Sequence, residues 1–172
     1  MKGIFTQMKN KKTLLLTQSA MIATLYILLT LFTNIFGLAN GAIQVRLSEA
    51  LTILPFFTPA AIPGLFIGCA LSNYLTGSTI IDIIFGSLAT LIGALFTYQL
   101  RKYKWLAPVP PIIANIIIIP YVLTTIYGAE GSYFYFALTV GIGEIISCGI
   151  LGMILLFSLY KYQNQLFKGI SK

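Results

Sequence analysis

The sequence predicts an all-α integral membrane protein, folded as a bundle of six transmembrane helices. Hydrophobic residues make up 58% of the 172-residue chain and charged residues only 9%, whereas a soluble domain carries about 25% charged residues. A helix that crosses a bilayer core of about 30 Å needs roughly 20 apolar residues, so about five or six spans fit. We expect one membrane domain over residues 1–172, with six helical elements in 13–160 between basic cytoplasmic tails at 1–12 and 161–172.

Six apolar stretches follow one another along the chain and define the predicted helical elements. In order, they cover residues 13–36, 47–57, 63–75, 82–100, 110–127 and 134–160. The second and third are shorter than a full span, and Pro55, Pro59 and Pro63 lie within or beside them. They form either two short helices or one re-entrant hairpin, and both alternatives leave the chain on the same side of the membrane.

Basic residues form three clusters, at residues 2–12, 101–104 and 161–172, and these clusters predict the orientation of the chain. Cytoplasmic segments of membrane proteins carry an excess of Lys and Arg. Six crossings from a cytoplasmic N-terminus place all three clusters on the inner side, so we expect both termini and the 101–104 loop in the cytoplasm. The net charge of +7 then reflects orientation in a cell membrane. Nucleic-acid binding is not expected, because the chain has no basic helix face or RNA-binding motif.

The residues needed for most enzyme chemistry are missing from the sequence. The chain has no histidine, which removes the usual general base and the commonest metal ligand. It has no phosphate-binding loop, and its two isolated cysteines do not have zinc-site spacing. Cys69 and Cys148 lie inside apolar stretches and are interpreted as small packing residues. We therefore expect a protein that is not an enzyme and has no cofactor and no metal.

Glu144 is the strongest functional candidate that the residues themselves indicate. It lies about ten residues into the last apolar stretch, which corresponds to a depth of roughly 15 Å. A charge near the centre of a spanning helix costs about 2.5–3.5 kcal/mol, so such residues normally face a cavity or a partner. A function for Glu144 is favoured over the alternative, a carboxyl group that only holds helices together.

The other charged residues of the outer side fall near predicted helix ends. Arg46 and Glu49 are three residues apart, the spacing of helical neighbours, so they form either a structural ion pair or part of a ligand site. The structural pair is favoured for Arg46, and both interpretations stay open for Glu49. Asp82 is placed to stabilise a helix N-terminus, and Glu130 is interpreted as a solvated loop residue.

Amide and aromatic side chains add polar groups to the outer half of the bundle. Asn73 lies toward the outer side, and Asn115 lies inside the fifth element. An amide in lipid needs a hydrogen-bonding partner, so Asn115 either joins helices or faces a ligand. Tyr127 belongs to a group of outer tyrosines, most of which fit an interfacial belt while a few could stack on a flat ring.

Small residues mark faces where helices can approach closely. Ser19 and Ala23 form a small-xxx-small pair in the first element, and Gly64 and Gly68 form a GxxxG in the third. Such faces serve either packing within this chain or docking to another.

The segment QVRLSEALTILPFFTPAAIPGLFIGCALSN, residues 44–73, resembles the QueT family. Its members are substrate-binding S components of energy-coupling-factor (ECF) transporters. The resemblance implies the six-helix S-component fold, a membrane coupling subunit and two cytoplasmic ATPases as partners, and uptake of a queuosine precursor. The implied ligand is 7-aminomethyl-7-deazaguanine or its nitrile relative. In such proteins the first helix docks the coupling subunit through an Ala-xxx-Ala-like face, for which this chain has Ser19 and Ala23.

The resemblance also suggests what the scarce carboxylates do. A deazaguanine presents N1–H and an amine side by side, and one carboxylate can accept both, while a second could hold the aminomethyl cation. The expected substrate-binding residues are Glu49, Glu144, Arg46, Asn73, Asn115 and Tyr127. The competing hypotheses are a stand-alone proton-coupled carrier or exporter, with Glu144 as the proton site, and a structural subunit that binds no small molecule.

Overall fold

The structure is a computed structural model that describes residues 2–37 and 44–166, without the side chains of residues 2–10 and 164. Its α-helices are α1 Lys2–Ile35, α2 Ala61–Leu75, α3 Ile80–Gln99, α4 Val109–Tyr121, α5 Tyr133–Glu144, α6 Gly152–Tyr160 and α7 Gln163–Leu166. Two 3-10 helices, Leu47–Phe56 and Lys104–Leu106, and two π-helical segments, Val122–Ile126 and Ile145–Leu151, complete the helical elements of the described part. No strand occurs in it, which confirms the all-α prediction.

All six predicted elements are helical, and their ends agree with the prediction to within about two residues, except that the first helix begins at Lys2 instead of residue 13. Four helical stretches of the described residues are long and apolar enough to cross a membrane. These are Lys11–Ile35, Ile80–Gln99, Lys104–Ile126 and Tyr133–Tyr160. In Lys104–Ile126 the π-helical segment Val122–Ile126 extends the end of α4, and in Tyr133–Tyr160 the π-helical segment Ile145–Leu151 joins α5 to α6. Leu47–Phe56 and Ala61–Leu75 are too short to qualify.

The two short elements are separate helices connected by a turn, an arrangement that fits both two short helices and a re-entrant hairpin. At about 2.0 Å per residue, the ten-residue 3-10 helix Leu47–Phe56 is roughly 20 Å long. It contacts α1, α2, α3, α6 and the π-helical segment Ile145–Leu151, and most of its side chains are buried. This helix therefore lies in the centre of the bundle, where its backbone is shielded from lipid by protein.

Close packing of α1 on α2 depends on the two glycines of the GxxxG pair. A Cβ atom added to Gly64 would lie 2.7 Å from the carbonyl oxygen of Ser19. One added to Gly68 would lie 2.9 Å from Tyr26 Cβ and 3.1 Å from Ala23 Cα. The absence of side chains at these positions lets the backbones approach, as is usual for small-xxx-small faces.

The predicted basic tails are partly helical in the structure. Helix α1 begins at Lys2, so residues 2–12 extend the first apolar helix; Met, Lys and Gln in this stretch are good helix formers. At the other end, α7 covers Gln163–Leu166. Residues 167–172 of the predicted C-terminal tail lie outside the described residues.

Candidate ligand-binding site

A cavity of about 420 Å³ lies among the central 3-10 helix, α2, α3, α4 and α5. All six residues that the sequence suggested for substrate binding line it: Glu49, Glu144, Arg46, Asn73, Asn115 and Tyr127. The remaining lining residues are Gln44, Cys69, Ser78, Asp82, Gly86, Thr90, Ile119, Leu123, Tyr135, Phe136, Thr139 and Val140. Residues far apart in sequence thus meet at one site, and their role in binding stays a prediction.

Glu49 enters this cavity from the first turn of the central 3-10 helix. Its side chain is only 3% exposed, and its Oε1 accepts a hydrogen bond from the hydroxyl of Tyr26 in α1. The other oxygen, Oε2, is buried and accepts no hydrogen bond within the described part of the chain. A buried acceptor without a donor is unfavourable by about 1–3 kcal/mol, so Oε2 is suited to a donor on a ligand.

Among the described residues, the hydrogen bond of the Arg46 guanidinium goes to Gln44 Oε1 at 3.4 Å and not to Glu49. Arg46 and Glu49 still interact electrostatically, so the structural interpretation favoured for Arg46 is corrected only in that the two side chains form no direct ion pair. Its backbone N–H donates to Ser147 Oγ at 3.1 Å, which ties the residue to the last long helix. The chain before the 3-10 helix is extended at Arg46, so the three-residue spacing does not bring the two side chains into direct contact as it would in a helix.

Glu144 lies at the end of α5, directly before the π-helical segment Ile145–Leu151. Its Oε2 accepts a hydrogen bond from Cys148 Sγ at 3.0 Å, and its carboxylate also interacts with Asn115 of α4. Cys148 is fully buried and lies 3.3 Å from Thr52 Oγ1 of the 3-10 helix. The π-helical turn therefore connects Glu144 and Cys148 to the element that presents Glu49; such turns occur frequently at functional sites.

Negative charge is concentrated in this cavity. Three of the four acidic residues of the chain, Glu49, Asp82 and Glu144, line it beside a single cation, Arg46. One ligating atom each of Glu49, Glu144 and Cys148 lies within 4.8 Å of the others. Two carboxylates this close in an enclosed site repel each other unless a proton or cation is shared between them. The arrangement therefore favours a ligand that brings hydrogen-bond donors or positive charge.

The amide and aromatic side chains shape the remaining wall. Asn73 is buried and donates from Nδ2 to the backbone oxygen of Asp82 at 3.5 Å, which joins α2 to α3. The hydroxyl of Tyr127 is hydrogen-bonded to Thr79 Oγ1 at the start of α3. Tyr135 and Phe136 of α5 add aromatic rings to the lining. A flat, polar ligand could stack on the aromatic rings and form hydrogen bonds with the polar side chains of this cavity.

Several site residues were not found from the sequence. Asp82 does stabilise the start of α3 as expected, since Thr79 Oγ1 donates to its Oδ2 at 3.1 Å, but it also lines the cavity. Cys69 and Cys148 are free thiols at the site rather than packing residues only. Of these residues, Tyr26 could have been found from the sequence, because a tyrosine in the middle of an apolar helix needs a hydrogen-bonding partner for its hydroxyl.

The Ser19 and Ala23 face is covered by α2 within the same chain. Both side chains are 8% exposed, they lie against Gly64 and Gly68, and Ser19 Oγ donates to the backbone oxygen of Ala60 at 2.8 Å. The structure therefore supports the alternative of packing within the chain, and these contacts give no support to docking of a partner on this face.

Comparison with known proteins adds a family assignment to this geometry. The sequence model of a family described as QueT transporter matches residues 16–161. A curated relative, the queuosine precursor transporter QueT of Lactococcus lactis subsp. cremoris, is 39% identical over 85 residues, or 49% of this chain and 50% of the relative. The match thus spans about half the length of that relative. No solved structure matches the chain at a significant level.

Proposed function

The chain belongs to the QueT transporter family, and from this premise we propose that it is the substrate-binding membrane subunit of an importer for a queuosine precursor. The proposed ligand is 7-aminomethyl-7-deazaguanine or a relative, held in the cavity between the two glutamates. The observation that carries the proposal is the pairing of Glu49 and Glu144 in one enclosed cavity of about 420 Å³, within the usual range of roughly 300–1,000 Å³ for small-molecule sites.

The ligand and the cavity match in chemistry. The guanine edge offers N1–H and the 2-amino group as adjacent donors, and a carboxylate is the strongest acceptor for such a pair. The aminomethyl group is a cation, and the cavity has three carboxylates and one guanidinium on its wall. The amide of Asn115 can donate to the exocyclic carbonyl oxygen of the base. The aromatic side chains can pack against the base.

Import by this subunit would need partners that supply energy, because the sequence has no phosphate-binding loop. We propose, from the family resemblance, that these are a membrane coupling subunit and two cytoplasmic ATPases. The cavity would open to the outside, with both termini and the 101–104 loop in the cytoplasm, as the basic clusters predict. Reconstitution in vesicles tests this part: uptake should require ATP and the partner proteins, whereas uptake driven by a proton gradient in the chain alone would contradict it.

Binding of the ligand to purified protein is the direct test of the site. Isothermal titration calorimetry should show that Glu49→Gln and Glu144→Gln each weaken binding of the aminomethyl ligand about tenfold to a hundredfold, since a hydrogen bond to a charged group contributes about 1.5–3 kcal/mol. Glu130→Gln is the matched control, because Glu130 is exposed and lies outside the cavity. If the two cavity variants bind as tightly as the Glu130 variant, the carboxylates are structural and the proposal is wrong.

A further inference from the structure

We infer that the two glutamates bind different parts of the ligand: Glu49 holds the cationic group, and Glu144 accepts hydrogen bonds from the paired donors of the base. Tyr26 is a positioning residue that orients Glu49 for this role. This inference rests on the proposed function and adds to it which carboxylate meets which part of the substrate.

The two carboxylates differ in how strongly their oxygens are already engaged. Glu49 Oε1 accepts from the Tyr26 hydroxyl, and its Oε2 is buried without a donor. Glu144 Oε2 accepts from a thiol, Cys148 Sγ, which is a weak donor, and its carboxylate also interacts with the Asn115 amide. Glu49 therefore offers one oxygen without any donor, while each oxygen of Glu144 keeps a lone pair for a further donor from a ligand.

This difference matches the two kinds of donor on the ligand. An ammonium group is a compact charge with rotatable donors, so a single well-placed oxygen is enough to hold it. The N1–H and 2-amino groups of a guanine edge point in parallel, and only a carboxylate with two available oxygens can accept both. The geometry thus places the cation at Glu49 and the base edge at Glu144.

Tyr26 lies where α1 packs closely on α2 at Gly68, and α1 also contacts the 3-10 helix that carries Glu49. A Cβ atom at Gly68 would lie 2.9 Å from Tyr26 Cβ, so α1 approaches α2 at the level of this tyrosine. Tyr26 is 1% exposed, and its buried hydroxyl has the Glu49 carboxylate as its acceptor. The terminal torsion of a glutamate side chain is otherwise broad, and the Tyr26 hydroxyl restricts it.

The test measures affinities of three ligands for the full-length protein in detergent. The ligands are the aminomethyl form, the nitrile form, which has no cation, and an aminomethyl form that lacks the 2-amino group. Glu49→Gln should weaken the aminomethyl form about tenfold or more and the nitrile form by no more than about twofold. Glu144→Gln should weaken the aminomethyl and nitrile forms alike, and should remove the preference for the 2-amino group.

Tyr26→Phe separates a positioning role from a purely structural one. It should lower the preference for the aminomethyl over the nitrile form by roughly threefold to tenfold, while affinity for the nitrile form stays near that of the parent. Tyr133→Phe is the matched control, since the Tyr133 hydroxyl donates to the Ile117 backbone oxygen away from the cavity. Thermal unfolding of each variant shows whether it is folded.

The outcomes are distinguishable from failure of the proposed function. If the parent binds the ligands but the two glutamate variants show the reverse pattern, the division of roles is wrong while the transporter proposal stands. If Tyr26→Phe weakens the binding of all three ligands equally, Tyr26 has only a structural role and the inference is overturned. If that variant is unfolded, the two glutamate variants alone decide which carboxylate binds which part of the ligand. Absence of binding to the parent removes both the function and the inference.

Discussion

Gly143→Ala is the substitution whose effect on the site can be worked out most directly from the structure. A Cβ atom at Gly143 would overlap the backbone oxygen of Gln44 and lie 3.1 Å from its carbonyl carbon. Both groups are backbone, so neither a rotamer change nor a flexible side chain can relieve the contact. The segment from Gln44 to Arg46 would have to move away from α5, and both of these residues line the cavity.

The size of the effect follows from the cost of overpacking, about 1–3 kcal/mol for an extra methyl group in a well-packed site. Two hydrogen bonds hold the displaced segment: Arg46 N–H to Ser147 Oγ at 3.1 Å, and Leu47 N–H to Thr33 Oγ1 at 3.3 Å. If ligand binding requires the segment in its original place, the whole cost appears in the affinity. We therefore expect a loss between about fivefold and a hundredfold.

Gly149→Ala provides a control on the same long helix. Its added Cβ atom would meet Ile145 Cγ2 at 3.7 Å and Ile112 Cδ1 at 3.9 Å, which are ordinary contacts. Titration calorimetry should give an affinity close to the parent for this variant, and thermal unfolding should show equal or slightly greater stability, because alanine is the better helix former. Equal affinities for the Gly143 and Gly149 variants would refute the reasoning.

Two further substitutions test the packing of α1 and the orientation of the chain. Ala23→Trp should lower the unfolding temperature and weaken ligand binding, because Ala23 lies against Gly68. Met21→Trp, on the exposed side of α1, should change neither quantity. An Ala23 variant that folds and binds ligand but fails to assemble with partner proteins would instead support docking on this face. Lys102→Cys, with Cys69 and Cys148 replaced, should react with an impermeant maleimide only in opened cells, and labelling of intact cells would reject the cytoplasmic 101–104 loop.

The helical elements could be predicted well because each depends on local composition. An apolar stretch of about 20 residues must form a helix in a bilayer, since its backbone groups have no other partners. The central 3-10 helix was the difficult case, because Leu47–Phe56 is too short to span a membrane and its burial depends on five neighbouring elements. Local composition shows that such a segment is apolar but cannot show which helices surround it.

The candidate site could be predicted residue by residue but not as a set of contacts. Its depth in an apolar stretch indicated a function for Glu144, since a charge there is expensive without a partner, and the family resemblance suggested a binding role for Glu49. The partners themselves depend on which helix faces meet. The spacing of Arg46 and Glu49 suggested an ion pair, and the extended backbone at Arg46 removed it.

Glycines determine which helix faces come into contact, and for this reason the contacts of the site could not be predicted from local sequence. Gly68 lets α1 approach α2 at the level of Tyr26, which contacts Glu49, and Gly143 lets the segment before the 3-10 helix cross α5 beside Glu144. In each case a residue without a side chain sets how closely two backbones approach next to a charged residue of the cavity. We therefore expect these glycines to affect ligand binding as the carboxylates do: a methyl group at Gly143 should change ligand affinity about as much as neutralising Glu144.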